Sequence, residues 1–197
     1  MADGLNVPSA WVTQWAHLVE AGGTVLDVAA GSGRHARWFA SRGHAVLAVD
    51  RDEEALRSMT GATRISTLAA DLENAAWPLK ADERFAAVVV TNYLHRPLFS
   101  PLADALAPGG VLIYETFAVG NESVGKPSNP AFLLKPGELL DAFHPRLRII
   151  AYQDGFASVP RASYVQRICA VREPDRSSTG LTIRNNASYP PRYELAG

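Results

Sequence analysis

The chain holds a single cysteine, Cys169, among 197 residues. One thiol excludes an intrachain disulfide and any cysteine-based metal cluster, and no metal site is predicted. Its setting in the apolar stretch Tyr164 to Val171 marks it as a small buried hydrophobe on a strand. No run of about 18 apolar residues occurs, and a basic-then-apolar opening is missing, so neither a membrane span nor a secretory leader is expected. The expected compartment is the cytoplasm. Charge of either sign is not in excess: 19 basic against 20 acidic residues leave a formal net charge of −1. That balance removes any broad attraction to nucleic acid or anionic lipid. A small-molecule partner is the better expectation, and oligomeric state is left open. No internal repeat is apparent.

What is present suits one globular domain with a sizeable core, since 47% of residues are hydrophobic and 20% charged. Residues 1–172 read as that domain, and residues 1–20 as a helical lid. Trp11, Trp15, Leu18 and Val19 share one face of the first helix, with packing or closure of the site as the alternative roles of the two tryptophans. After Arg172 the chain turns to Pro, Ser, Asn and Arg, so 173–197 read as a flexible tail.

Between these ends, apolar runs alternate with helical patterns. Strands are predicted at Thr24 to Val28, Ala45 to Val49, Ile65 to Ala69, Phe85 to Thr91 and Val111 to Thr116. Helices are predicted at Arg34 to Arg42, Asp52 to Met59, Leu98 to Leu106 and Gly137 to Phe143. Two more strand-like stretches, Leu147 to Tyr152 and Tyr164 to Val171, are joined by a loop and predict an antiparallel pair. The sum is a doubly wound, mostly parallel seven-stranded α/β sheet with an antiparallel C-terminal strand.

The most informative segment is Thr24-Val25-Leu26-Asp27-Val28-Ala29-Ala30-Gly31-Ser32-Gly33-Arg34-His35. A buried strand carries an acid, breaks into small residues and restarts as a helix. Small residues admit a ligand close to the backbone, and exposed N–H groups at the helix start attract polar groups. Asp50, at the end of the second strand, suits a ribose diol. The pair predicts a nucleoside-bearing cofactor. Gly31-Ser32-Gly33-Arg34-His35-Ala36 also fits the dinucleotide fingerprint G-x-G-x-x-A. Against a dinucleotide, Asp27 has no use beside a pyrophosphate but would serve the ammonium of an amino-acid tail. No tyrosine is followed four positions later by lysine, the pair that short-chain dehydrogenases need.

Val25 to Gly33 resembles the first motif of class I S-adenosylmethionine-dependent methyltransferases, usually written D-x-G-x-G-x-G. Asp50 resembles their second-strand acid, Ala70-Asp71-Leu72 the third-strand segment lying against adenine, and Ala107 to Leu112 the turn before the fifth strand. The resemblance implies S-adenosyl-L-methionine as cofactor. It implies contacts from Asp27, Ala29, Ala30, Gly31, Ser32, Gly33 and Arg34 to the methionine part, with Asp27 on the amino group and Arg34 toward the carboxylate. Asp50 and Arg51 fall at the ribose, Asp71 and Leu72 at the base, and Thr91 and Asn92 at the end of the fourth strand. Ala29 stands where the family usually has glycine, which is tolerable with a negative φ. For Asp27, Asp50 and Asp71 the alternative is capping a nearby helix or turn, and for Arg34 an exposed helical arginine.

On the acceptor side, the candidates are Tyr93 and His95 after the fourth strand, with His95 as a candidate base, and Glu115, Asn121 and Glu122 on and after the fifth. Ordinary packing and turn chemistry are the alternatives for all five. The long connection Phe117 to Lys135 reads as a lid or binding element. The signature Asn-Pro-Pro-Tyr of amino-methylating enzymes is missing. A narrower similarity, carried by Arg34, by Phe132 to Leu139 and by the short closing strand, is to the tellurite-resistance branch. It implies a thiol, selenol or tellurium oxyanion as acceptor, although Asn92 to Arg96 depart from that branch. RNA or protein methylation, a non-catalytic S-adenosylmethionine-binding module and an NAD-dependent dehydrogenase are the rival readings.

Overall fold

The computed structural model describes residues 7–174 and 192–195. Seven strands form one sheet: β1 (Val25–Val28), β2 (Val46–Asp50), β3 (Ile65–Ala69), β4 (Phe85–Thr91), β5 (Leu106–Phe117), β6 (Arg148–Ala157) and β7 (Ser163–Val171), in the order β3-β2-β1-β4-β5-β7-β6. The pairs from β3 to β5 are parallel, whereas β7 runs antiparallel to both β5 and β6. Among the described residues five α-helices accompany them: α1 (Ala10–Trp15), α2 (Arg34–Ser41), α3 (Glu53–Arg57), α4 (Phe99–Asp104) and α5 (Glu138–Phe143). The order of strands reverses between β1 and β4, and ligands bind such sheets outside the carboxyl ends of the strands at that switch.

Both faces are covered, which explains the continuous apolar runs. On one face Val25, Ala87, Val89, Val111 and Ile113 pack under Trp11, Val12 and Trp15 of α1, Ala36 and Phe39 of α2, and Leu56 of α3. On the other, Leu26, Val88, Val90, Leu112 and Tyr114 meet Leu102 of α4 and Leu139 and Phe143 of α5. Trp11 and Trp15 therefore sit in the core, and the Trp11 indole donates to the Ile168 carbonyl at 3.3 Å.

Three elements differ from expectation. Helix α4 stops at Asp104 and β5 begins at Leu106, taking in Pro108-Gly109-Gly110, which had read as a turn between helix and strand. The ladder shifts register between Phe85 and Ala87, and a Cβ on Gly110 would lie 2.8 Å from the Phe85 carbonyl oxygen. The glycine pair thus makes a bulged strand. The β6–β7 hairpin also runs on through Gln153 to Ala157, because an edge strand needs few apolar residues to stay paired. Ala29 adopts φ +55°, not the negative value expected for a residue with a Cβ. A left-handed alanine costs roughly 1–2 kcal/mol, so the surrounding loop must hold it there.

Residues 175–191 and 196–197 of the expected tail lie outside the described residues. Within 192–195, the Arg148 guanidinium stands 5.3 Å over the Tyr193 ring and the His17 ring meets the Glu194 carbonyl at 2.9 Å. Among the described residues no helix is long and apolar enough to cross a membrane, and no group of three His, Cys, Asp or Glu could hold a metal ion.

Candidate cofactor site

A cavity of about 180 Å³ opens at the carboxyl ends of β1 to β4, lined by Ala29, Asp50, Arg51, Ala70, Asp71, Leu72, Glu73 and Tyr93. It gathers residues from four separate strand ends; six of the eight were read as site residues from sequence, and Ala70 belongs to the segment read against adenine. Glu73 was not read so, because an acid after a turn carries no signature of its own. Tyr93, expected beside the acceptor, lines this cavity together with the acids.

Each acid also has a structural task. Asp50 accepts the Gly31 N–H at 2.7 Å through Oδ2 and the Asp52 N–H at 2.9 Å through Oδ1, tying the glycine loop to the end of β2. Asp71 accepts from the Asn74 side-chain amide at 2.9 Å and from the backbone N–H groups of Glu73 and Asn74. Those bonds, the Asn74 amide first, hold its carboxyl below the usual range. Every carboxylate oxygen has two lone pairs, so both acids can still accept from a ligand.

Asp27 lies beneath the loop, 1% exposed and outside the cavity lining. Its Oδ2 accepts the Ala36 N–H at 3.0 Å. The N-cap of α2 is Gly33, which has no side chain to cap with, so an acid from β1 satisfies that helix N–H instead. Burial pushes the Asp27 carboxyl up to about 7, against the lowering effect of the Ala36 bond.

The loop itself has unequal glycines. Gly31, at φ +54°, has open space where a Cβ would stand. Gly33, at φ +80°, would place a Cβ 1.9 Å from the Met59 sulfur, so its smallness serves the packing of the segment after α3. Ala30 closes the turn by accepting the Gly33 N–H at 2.9 Å, and Ser32 is exposed. Arg34 is half-buried and donates to Thr91 Oγ1 at 3.3 Å, joining α2 to β4. Asn92 takes φ +56°, a conformation asparagine tolerates, and its N–H donates to the Glu115 carbonyl at 2.9 Å.

The remaining acceptor-side candidates are not brought together in this cavity. Glu115 is buried, accepts from the Ser9 hydroxyl at 2.8 Å and forms an ion pair with Arg167. Asn121 is buried and bridges the loop, donating to the Pro127 carbonyl at 3.0 Å and accepting the Tyr164 N–H at 3.2 Å. Glu122 accepts the Gly120 N–H at 2.8 Å. His95 is half-buried with no side-chain hydrogen bond among the described residues.

Sequence reasoning missed the residues that fix this side. Arg96 donates to Glu138 at 2.5 and 2.9 Å and to the carbonyls of Ala131 and Leu133 at 2.8 and 2.9 Å, pinning the long connection to α5. Burial, the largest single influence, would raise the Glu138 carboxyl, but the Arg96 bonds, the Lys135 N–H and the charges of those two residues together hold the group low. His35 is buried, accepts the Ser9 N–H at 3.1 Å and is held neutral, its pKa pushed down to about 3 by burial and by the Arg34 charge. Ser9 also caps α1, its hydroxyl accepting the Trp11 N–H at 3.1 Å.

Residues 25–110 match the family model of a methyltransferase domain. No curated protein matches the chain by sequence. Among solved structures, it is similar to TehB from Haemophilus influenzae, with a TM-score of 0.69 at 16% identity over 85% of this chain; it spans 63% of that protein's length. An S-adenosylmethionine-dependent methyltransferase from Mesorhizobium loti gives a TM-score of 0.67 at 20% identity, covering 86% of this chain and 100% of its own. The glycopeptide N-methyltransferase MtfA, complexed with S-adenosyl-L-homocysteine, gives 0.58 at 19% identity over 82% of this chain and 88% of its own. The methyltransferase-domain match covers residues 25–110, and the chain shares its fold with these solved S-adenosylmethionine-dependent methyltransferases.

Proposed function

We propose that the chain transfers a methyl group from S-adenosylmethionine to a small-molecule nucleophile. The observation that carries this reading is the cavity at the sheet's switch point, where Asp50 and Asp71 face an open space beside the glycine loop. The residues fit the cofactor: two acids keep lone pairs free, and Gly31 leaves room above the loop. Asp50 takes the ribose hydroxyls, with Arg51 beside it. Asp71 and Leu72 flank the base. Ala29 to Arg34, with Thr91 and Asn92, border the methionine part, and the Asp27 carboxyl oxygen not bonded to Ala36 is the acceptor assigned to its ammonium, directly or through water.

When bound, the cofactor supplies a methyl group on a sulfonium, already activated and with a neutral leaving group. The chain's own residues therefore have to align the acceptor opposite the departing sulfur and exclude water. A base is needed only for an acceptor that arrives protonated, and His95 is the residue with an uncommitted ring at that edge. The similarity to the tellurite-resistance branch supports a thiol, selenol or tellurium oxyanion as acceptor, in the cytoplasm. The near-neutral net charge supports a small molecule over RNA.

The test is calorimetry with S-adenosylhomocysteine. A hydrogen bond to a charged group contributes about 1.5–3 kcal/mol, so Asp50→Ala should weaken binding by roughly tenfold to a hundredfold. Unchanged affinity rejects the ribose assignment. Labelled methyl transfer to thiol, selenol and tellurite acceptors then reads the reaction itself; binding with transfer to none of them points to a different acceptor or to a sensor.

A further inference from the structure

The Tyr93 hydroxyl is buried, and among the described residues nothing hydrogen-bonds to it. An unpartnered buried hydroxyl is destabilising, so its position calls for a reason. The main chain around it is firmly held. Asn92 turns the backbone at φ +56° while its N–H bonds to Glu115, and the buried Tyr114 hydroxyl donates to the Tyr93 carbonyl at 2.9 Å. The ring thus has a fixed approach to the cavity it lines with Asp50, Asp71 and Glu73.

The electrostatics decide which way a bond would run. Burial first, then the Glu73 and Asp71 carboxylates, push the phenol up to about 12, so it stays protonated and can donate. A ligand lying between these groups turns its donors, the ribose hydroxyls and an exocyclic amine, toward the acids. The protonated Tyr93 hydroxyl can donate to an acceptor on the face turned toward it.

Resting on the cofactor reading above, we infer that the Tyr93 hydroxyl donates to a ring nitrogen of the bound purine and helps select the base. Tyr93 is then a specificity residue of the nucleoside pocket, not an acceptor-side group.

The experiment is a binding cycle on the full chain. Wild type and Tyr93→Phe are titrated with S-adenosylhomocysteine and with its 1-deaza, 3-deaza and 7-deaza analogues, each lacking one ring acceptor. Phenylalanine should weaken S-adenosylhomocysteine binding roughly three- to tenfold, as for one ordinary hydrogen bond. One deaza analogue should bind wild type more weakly by a similar factor and show no further loss in Tyr93→Phe. Without ligand, Tyr93→Phe should melt at the wild-type temperature or above it, because no protein partner is lost. Equal affinity of the two proteins overturns the assignment. So does a loss that persists with all three analogues, which would mean packing, or a ligand-free melting temperature that falls. If wild type fails to bind S-adenosylhomocysteine at all, the cofactor reading falls, and this inference with it.

Discussion

Along the carboxyl edge of the sheet, the part over β1 to β3 turns polar groups toward a cavity, whereas the part over β5 and β7 pairs them with one another. Asp50 and Asp71 keep hydrogen-bonding capacity at the cavity, and the buried Tyr93 hydroxyl beside them has no partner among the described residues. Glu115 is closed off by Ser9 and Arg167, Asn121 by Pro127 and Tyr164, and Glu138 by Arg96. The second part also exposes large apolar side chains: Val119, Val124 and Phe132 on the long connection, Phe156 and Val159 on the hairpin. Polar groups free to meet a ligand thus gather on one part, and groups that fix the backbone gather on the other.

The comparison breaks most readily at Gly33. Alanine there combines a positive φ with a collision against Met59, and denaturant unfolding should show a loss of about 2–5 kcal/mol. A midpoint left in place would mean that the loop and Met59 do not meet as described.

Asp27 gives the next effect, through pH. Folding raises its pKa from 3.8 to about 7. The fold therefore holds this proton more tightly than the unfolded chain does. The stability it contributes is complete below about pH 4 and lost as pH rises through about 7. Asp27→Asn keeps an acceptor for Ala36 but cannot titrate. Its stability should gain on wild type by something on the order of 3 kcal/mol between pH 5 and pH 8. Parallel stability curves would show that the acid is not buried as protonated carboxyl.

Arg96→Ala sharpens the other half. Removing the clamp should leave the fold standing but open residues 117–135, with limited proteolysis there roughly tenfold faster. Cleavage at the wild-type rate would leave the clamp without a role.

The smallest change is expected at Ala29. Glycine relieves the left-handed strain but costs more backbone entropy on folding, so Ala29→Gly should stabilise by up to about 1 kcal/mol. A measured loss would show that the methyl group packs favourably in the cavity wall.

Much of the fold was legible in the chain. The runs in β1, β2 and β4 are buried on both faces, and such strands announce themselves by composition alone. Ile65–Ala69 and Phe85–Thr91 fell where the sequence placed them. Legibility failed where backbone pairing, not side-chain burial, defines the element. Gly109 and Gly110 pair with Arg172 although they read as a stop, and the outer half of β6 is held by its ladder. At the site, the acids and glycines were visible because few other residue types suit those tasks. Tyr93 and the Arg96–Glu138 pair were not legible in those roles, since no local spacing reveals which side chains meet across the sheet.

The sequence by itself determined the strand-and-helix alternation and the positions of the acids around a glycine turn, because burial patterns and turn chemistry are local. Only the tertiary structure decided which of those polar groups still face solvent and which are bound to one another. That outcome depends on distances between residues far apart in the chain: Asp27 ended under a helix, Glu115 beside an arginine, and Tyr93 among the acids.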